Sequence, residues 1–192
     1  MTGGALLLAA GHAKRFGGDK RLHVVEHLPL LAQTITTYQQ VFERLVVIVR
    51  TDDIAVTDML KKHQLTPALI TAPDADLGMG HSLAAGIEQI QSWDYVFIGL
   101  ADMPFIKTRS LKTLNEALTN NTQIIQPIYK GENGHPVGFG SAYFEKLMAL
   151  SGDTGARSVV HQYPQQVTTI NLNDSGLIQD IDTPDQLLDK FA

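Results

Sequence analysis

The sequence predicts an α/β protein in three layers, a mostly parallel sheet with helices on both faces. Three observations predict it. Continuous apolar runs, rather than alternating ones, mark strands buried on both faces. Segments of helical length separate those runs, which is how βαβ units are written. The 192 residues, 44% hydrophobic and 18% charged, suit one domain over residues 1–192 with enough apolar surface for a core.

The elements follow in order. Ala5-Leu6-Leu7-Leu8-Ala9 is the first buried run, Leu45 to Val49 the second and Tyr95 to Leu100 the third. Helical stretches fall at Leu30–Val41, Ile54–His63, Ser82–Gln91 and Thr108–Thr119. Leu83, Ile87 and Ile90 recur at the spacing of one helical stripe. Beyond residue 122 the pattern loosens. Ile124–Tyr129 and Pro136–Phe139 read as two strands around a turn at Gly131/Asn133-Gly134, with Pro136 at an edge or a strand start. Helices near Ala142–Leu150 and Gly155–Gln162 and a strand at Val167–Leu172 come next. A last helix opens at Pro184, with Thr183 as its N-cap and Asp185 in its first turn. Taken together the elements describe a Rossmann-like α/β sheet.

Composition narrows the function. Net charge is −5, from 15 Lys and Arg against 20 Asp and Glu, which speaks against a protein that grips long nucleic acid. The pairs Lys14-Arg15 and Lys20-Arg21 both lie in the first loop, so positive charge gathers where a small anionic ligand would bind. The chain has no cysteine, which removes disulfides and thiolate metal sites and fits a reducing compartment. The first residues lack a basic n-region, and no apolar run approaches about 18 residues, so a cytoplasmic protein without membrane contact is expected.

The most informative stretch is Leu8-Ala9-Ala10-Gly11-His12-Ala13-Lys14-Arg15-Phe16-Gly17-Gly18-Asp19-Lys20. A buried strand runs straight into small residues and ends on cations. A phosphate chain needs backbone N–H groups with no side chains in the way, and then point or forked charge. Ala10, Gly11 and Ala13 offer the first; Arg15 and Lys20 offer the second. The spacing is neither that of the P-loop nor that of the dinucleotide fingerprint. The same residues also describe a surface loop with solvated charges.

Four further segments carry candidate chemistry. Gly78-Met79-Gly80-His81-Ser82 opens the third helix, where glycines expose backbone to an anion or a ribose hydroxyl; Ser82 is equally an N-cap. Asp102, in Leu100-Ala101-Asp102-Met103-Pro104, lies just past a central parallel strand, where open α/β sheets bind ligands; it also suits a turn. Asp180 and Asp182 in Asp180-Ile181-Asp182-Thr183-Pro184 face one side if the segment is extended, or else close a strand. His135, in Gly134-His135-Pro136-Val137, and Arg157, in Gly152-Asp153-Thr154-Gly155-Ala156-Arg157, complete the set, although Asp153 also suits a helix cap and Arg157 a solvated first turn.

Two other constellations are declined. His23-Val24-Val25-Glu26-His27 lacks the order of a zinc helix, and its valines favour a strand. In a strand the two rings stand roughly 13 Å apart at about 3.3 Å per residue, too far for one metal. No G-x-S-x-G or Ser-His-Asp pattern supports acyl chemistry.

The first loop resembles the signature L-A-A-G-x-[SA]-x-R-x-G-x-x-K of the GT-A-like nucleotidyltransferases. Leu8, Ala9, Ala10, Gly11, Ala13, Arg15, Gly17 and Lys20 meet its fixed positions. Within that superfamily the chain is similar to the molybdenum cofactor nucleotidyltransferases, most of all to their cytidylyltransferase branch, from the loop to Asp182-Thr183-Pro184. The resemblance implies a GT-A-like fold that moves a nucleoside monophosphate from an NTP to the phosphate of molybdenum cofactor and releases pyrophosphate. It implies nucleotide contacts from Leu8, Ala9, Ala10, Gly11, Arg15, Lys20, Gly80 and Ser82, with Arg15, Lys20 and Asp102 as the catalytic set. It implies Mg²⁺ on Asp102, with Asp182 favoured over Asp180 as the second metal ligand or a substrate contact, and an anionic acceptor on His135 and Arg157. The L-A-A-G form goes with CTP and the cytidylyltransferase branch, L-A-G-G with the guanylyltransferases. A molybdoenzyme or its chaperone would then receive the product. The alternatives are another phosphorylated acceptor (a sugar or polyol phosphate), GTP in place of CTP, or a non-catalytic nucleotide-binding regulator or cofactor chaperone.

Overall fold

The structure, a computed structural model, describes residues 1–11, 16–25 and 27–183. The chain runs β1 (Gly3–Leu8), β2 (Val24–Val25), β3 (Leu28–Pro29), α1 (Leu30–Gln39), β4 (Leu45–Arg50), α2 (Ile54–Lys62), β5 (Ala68–Ala72), α3 (Met79–Glu88), β6 (Tyr95–Leu100) and α4 (Thr108–Ala117). It continues through β7 (Ile124–Tyr129), β8 (Glu132–Asn133), β9 (Val137–Gly140), α5 (Phe144–Met148), α6 (Arg157–Gln162) and β10 (Val167–Asn171). Short 3-10 turns join them, among them Lys20–Leu22 and Ser175–Ile178.

The main sheet has the order β10-β7-β9-β6-β1-β4-β5, with β8 paired to β7. β1 lies parallel to both β4 and β6, and β4 parallel to β5. β9 runs antiparallel between β6 and β7, and β10 returns parallel to β7. Two core layers fill the space above and below. Leu7, Val47 and Phe97 pack with Leu31, Ile35 and Leu111 on one face. Their strand neighbours Leu6, Val46, Ile48 and Val96 pack with Leu83, Ile87 and Phe144 on the other. Alternate residues of one apolar run therefore feed opposite cores, which is why the run is continuous. The three-layer, mostly parallel α/β architecture is as expected.

Several local readings change. The strand β5 was not foreseen, because it is an edge: Ala68, Leu69 and Thr71 are exposed and Ala72 alone is buried, so no continuous apolar run announces it. Ser82 is not an N-cap. The helix α3 starts at Met79, and Gly78 turns the chain into it at φ 121°. A side chain at Gly78 would collide with the Gly152 carbonyl group at 2.3 Å, so the helix begins where the two loops touch. The expected helix at Ala142–Leu150 is a 3-10 turn followed by the five-residue α5. Asp180 to Asp182 is irregular rather than a strand. The hairpin turn between β7 and β8 falls on Lys130 and Gly131, both at positive φ. The helix expected from Pro184, with Asp185, lies outside the described residues, as does Glu26. None of the described helices is long and apolar enough to cross a membrane.

Candidate active site

The parallel strands β1 and β6 end side by side, Leu8 opposite Leu100. Their ladders run one residue further, through Ala9 N–H to the Ile48 carbonyl (2.9 Å) and Ala101 N–H to the Leu8 carbonyl (3.1 Å). Past that point the chains diverge and leave a cleft of about 450 Å³. Open parallel sheets place ligands at such carboxyl ends. Leu8, Ala9, Ala10 and Gly11 form one wall, Met79 and Ser82 of α3 another, and Lys20 faces Asp102, Asp180 and Asp182 across the gap.

The acidic side is assembled from distant sequence. Ile181 N–H donates to the Asp102 carbonyl (3.0 Å), and the Ile181 side chain is buried with Val25 and Leu30. Burying that one apolar residue leaves Asp180 and Asp182 on the cleft. Carboxylate oxygens of Asp102, Asp180 and Asp182 lie within 4.8 Å of one another. The Lys20 ammonium donates to Asp102 Oδ2 at 2.5 Å and to Asp182 Oδ1 at 3.1 Å. Burial lowers the Lys20 pKa, and the two carboxylates, Asp102 foremost, more than offset it, so the group is held above its usual range and stays charged. Asp102 Oδ1 is buried and finds no hydrogen-bond partner among the described residues. A cluster of oxygen donors with a lone buried carboxylate oxygen suits a hard divalent cation.

A second hollow of about 410 Å³ adjoins the first, and Leu8, Met79 and Leu100 border both. Its lining combines apolar Ile98, Val137 and Val160 with polar His135, Arg157, His161 and the buried Gln126. Gln126 is fixed by donating to the Gly134 carbonyl at 2.8 Å. His135 N–H donates to the Leu177 carbonyl at 2.7 Å, which ties the residue to the 3-10 turn before Asp180. Burial pulls the His135 pKa below its ordinary value, against the opposing pull of a hydrogen bond with the Ile98 backbone and the charges of Asp102 and Asp180. Its Nδ1 is buried with no partner among the described residues. Arg157, in the first turn of α6, is exposed and donates weakly to His161 Nε2 at 3.4 Å.

The structure thus gathers Leu8, Ala9, Ala10, Gly11, Lys20, Ser82, Asp102 and Asp182 around one cleft, and His135 and Arg157 around its neighbour. Gly80 is not brought to the cleft wall: its N–H donates to the Gly152 carbonyl at 2.8 Å, and a Cβ there would meet Ser151. Arg15 lies outside the described residues. Asp180 joins Asp182 in the cleft, so both acids of the segment reach it. Arg21, which sequence grouped with Lys20 as a loop cation, turns instead to Asp19 and Asp53. Sequence carried no sign of that pairing, because Asp53 lies 32 residues away on another corner of the sheet.

Known proteins share the family and the fold of this chain. The family profile described as MobA-like NTP transferase domain matches residues 5–167. The purine catabolism protein PucB of Bacillus subtilis is 28% identical over 195 residues, covering 94% of this chain and 92% of its own. The nicotine blue oxidoreductase of Paenarthrobacter nicotinovorans is 26% identical, covering 95% and 93%. Rv0371c of Mycobacterium tuberculosis shares the fold at a TM-score of 0.83 and 22% identity, over 98% of this chain and 97% of its own. A structure of the same protein complexed with manganese superposes at 0.80, with 22% identity and coverage of 98% and 99%.

Proposed function

This chain belongs to the family of MobA-like NTP transferase domains, and from that premise we propose that it is a molybdenum cofactor cytidylyltransferase. Nucleotidyl transfer is the activity of the family. The finer reading, CTP as donor and molybdenum cofactor as acceptor, draws on the L-A-A-G form of the loop at Leu8 to Gly11.

One observation carries the placement of the chemistry: Lys20 and the acids Asp102 and Asp182 meet across a cleft at the carboxyl ends of β1 and β6. In this reading the loop Leu8–Gly11 receives the triphosphate on backbone, where small residues keep the approach open. Ser82, in the first turns of α3, contributes to the nucleotide wall, and the N-terminus of that helix favours negative charge. Lys20, held charged, offsets the charge that builds on the departing pyrophosphate. Arg15 joins it from the same loop. Mg²⁺ would be held by Asp102 with Asp182 or Asp180; when bound, it supplies charge neutralisation between nucleotide and acceptor. The manganese complex of Rv0371c supports a divalent ion for this fold.

The acceptor occupies the neighbouring hollow. Arg157 supplies a cation to its phosphate, and His135, whose lowered pKa keeps the imidazole neutral near pH 7, supplies a hydrogen bond. An acceptor phosphate oxygen attacks the α-phosphorus in line; the new P–O bond forms as the bond to the β-phosphate oxygen breaks. The acceptor is already an anion, so positioning and charge account for the catalysis without a side-chain nucleophile.

The test is pyrophosphate release with each of the four NTPs, with and without molybdenum cofactor. Release that needs both CTP and the cofactor is expected. Release with a sugar phosphate in place of the cofactor would overturn the acceptor, and preference for GTP would overturn the cytidylyl assignment.

A further inference from the structure

The guanidinium of Arg21 is 4% exposed, and all five of its N–H donors are engaged. Nε and Nη2 donate to the Asp19 carboxylate at 2.8 and 2.5 Å. Nη1 and Nη2 donate to Asp53 at 2.5 and 3.1 Å. The remaining Nη1 hydrogen reaches the Ala9 carbonyl at 2.7 Å. Arg50 closes the group by donating to Asp19 Oδ2 at 3.0 Å, with Asp53 3.6 Å from its Nε. Two acids and two bases balance, so the cluster adds no net charge to the cleft. An arginine with every donor committed has none left for a phosphate.

The partners of Arg21 decide what it can do. Ala9 is where the chain leaves β1 for the glycine-rich loop. Asp19 is where the loop ends, as N-cap of the 3-10 turn Lys20–Leu22. Asp53 precedes α2, on the neighbouring β4–α2 corner. One planar fork therefore joins the two ends of the loop and ties both to the sheet. The adjacent Lys20 sends its side chain the other way, to Asp102 and Asp182.

We propose that Arg21 is a positioning residue for the nucleotide site: it clasps the loop shut and thereby sets where the Lys20 ammonium stands. The proposal rests on the reading of Lys20 as the cation of the triphosphate. Bidentate geometry is the reason for arginine here. A lysine keeps the charge but offers three donors on one point, which cannot hold two carboxylates and a carbonyl in one plane. Displacing a cation from its charge-assisted contact with the triphosphate costs on the order of 10- to 100-fold in affinity.

The experiment is a double-mutant cycle read by calorimetric titration of the Mg²⁺ complex of CTP into the protein without acceptor, beside thermal unfolding. Arg21→Lys should weaken nucleotide affinity by about 10- to 100-fold, the worth of one charge-assisted contact. In a Lys20→Ala background the same substitution should change affinity by less than about twofold, because residues that act through one another are not additive. Asp53→Asn, which removes one partner and leaves the arginine, should repeat the pattern and serves if Arg21→Lys does not fold. Equal losses on both backgrounds, or an unchanged affinity in Arg21→Lys, would overturn the role of Arg21 while wild-type binding keeps the site intact. Wild-type protein that binds none of the four NTPs would overturn the reading of the site, and the proposal with it.

Discussion

Lys20 Nζ stands 2.5 Å from Asp102 Oδ2, and the two residues come from loops 82 positions apart in sequence. The loop's cation rests on carboxylates whose oxygens suit a divalent ion. In the proposed function Lys20 and a metal ion compete for one pair of acids, and the triphosphate offers Lys20 an alternative partner.

That competition has a measurable sign. Lys20→Ala should bind Mn²⁺ more tightly than wild type when no nucleotide is present, by about tenfold, which corresponds to about 1.4 kcal/mol. The same variant should lose kcat/KM for the nucleotide, whereas Lys14→Ala, at a position the signature leaves free, should keep it. Electron paramagnetic resonance of free Mn²⁺ reads the first effect and steady-state kinetics the second. Equal kinetic losses in both variants would reduce the loop to a diffuse basic patch.

Removing the other partner tests the acid. Asp102→Asn is close to isosteric and should fold, since Asp102 is partly exposed at the cleft and its carbonyl still accepts from Ile181. The kcat should fall by at least about 10², the scale of one lost transition-state electrostatic contact. Unchanged turnover and metal dependence in a folded variant would remove Asp102 from the catalytic set.

His135 links the second hollow to pH. Its pKa in the folded protein lies below the ordinary 6.5, because burial disfavours the imidazolium. The unfolded chain therefore binds the proton first as pH falls. The contribution of His135 to stability is complete above pH 6.5 and is lost progressively as pH falls from there through the folded pKa. His135→Gln should flatten the melting temperature over that range, relative to wild type. Parallel curves for the two proteins would mean that the imidazole titrates normally.

The proposed preference for CTP assigns base choice to Ala10. It is 1% exposed and belongs to the core beneath α3, yet it lines the cleft. Its methyl leaves less space than the glycine of L-A-G-G, so it should act by rejecting the larger guanine rather than by gripping cytosine. Ala10→Gly should raise kcat/KM for GTP by about tenfold, the low end for a methyl-sized change, with a smaller effect on CTP. Competition between the nucleotides, for wild type and variant, decides it; no change in the ratio would locate the discrimination elsewhere on the wall.

The primary structure by itself determined the architecture and one wall of the cleft. Continuous apolar runs can be buried on two faces only, so Leu6, Leu7 and their counterparts in β4 and β6 imply a covered parallel sheet before any coordinate is known. Loop chemistry is similarly local: Leu8 to Gly11 and Lys20 lie within one continuous stretch, and their spacing carries the resemblance. What tertiary structure decided is every relation across elements. The edge strand β5 lacked a periodic signal because, with no strand on its outer side among the described residues, most of its side chains stay exposed. Asp180 and Asp182 meet Asp102 because Ile181 is buried between Val25 and Leu30 and hydrogen-bonds the Asp102 backbone. Gly80 is spent on a contact with the Gly152 loop, and Arg21 on Asp53, two partnerships between residues far apart in the chain. Periodicity and spacing report on neighbours within about two helical turns. The partner of a buried charge or a buried amide is chosen by packing, and only the folded chain brings those partners within hydrogen-bond distance.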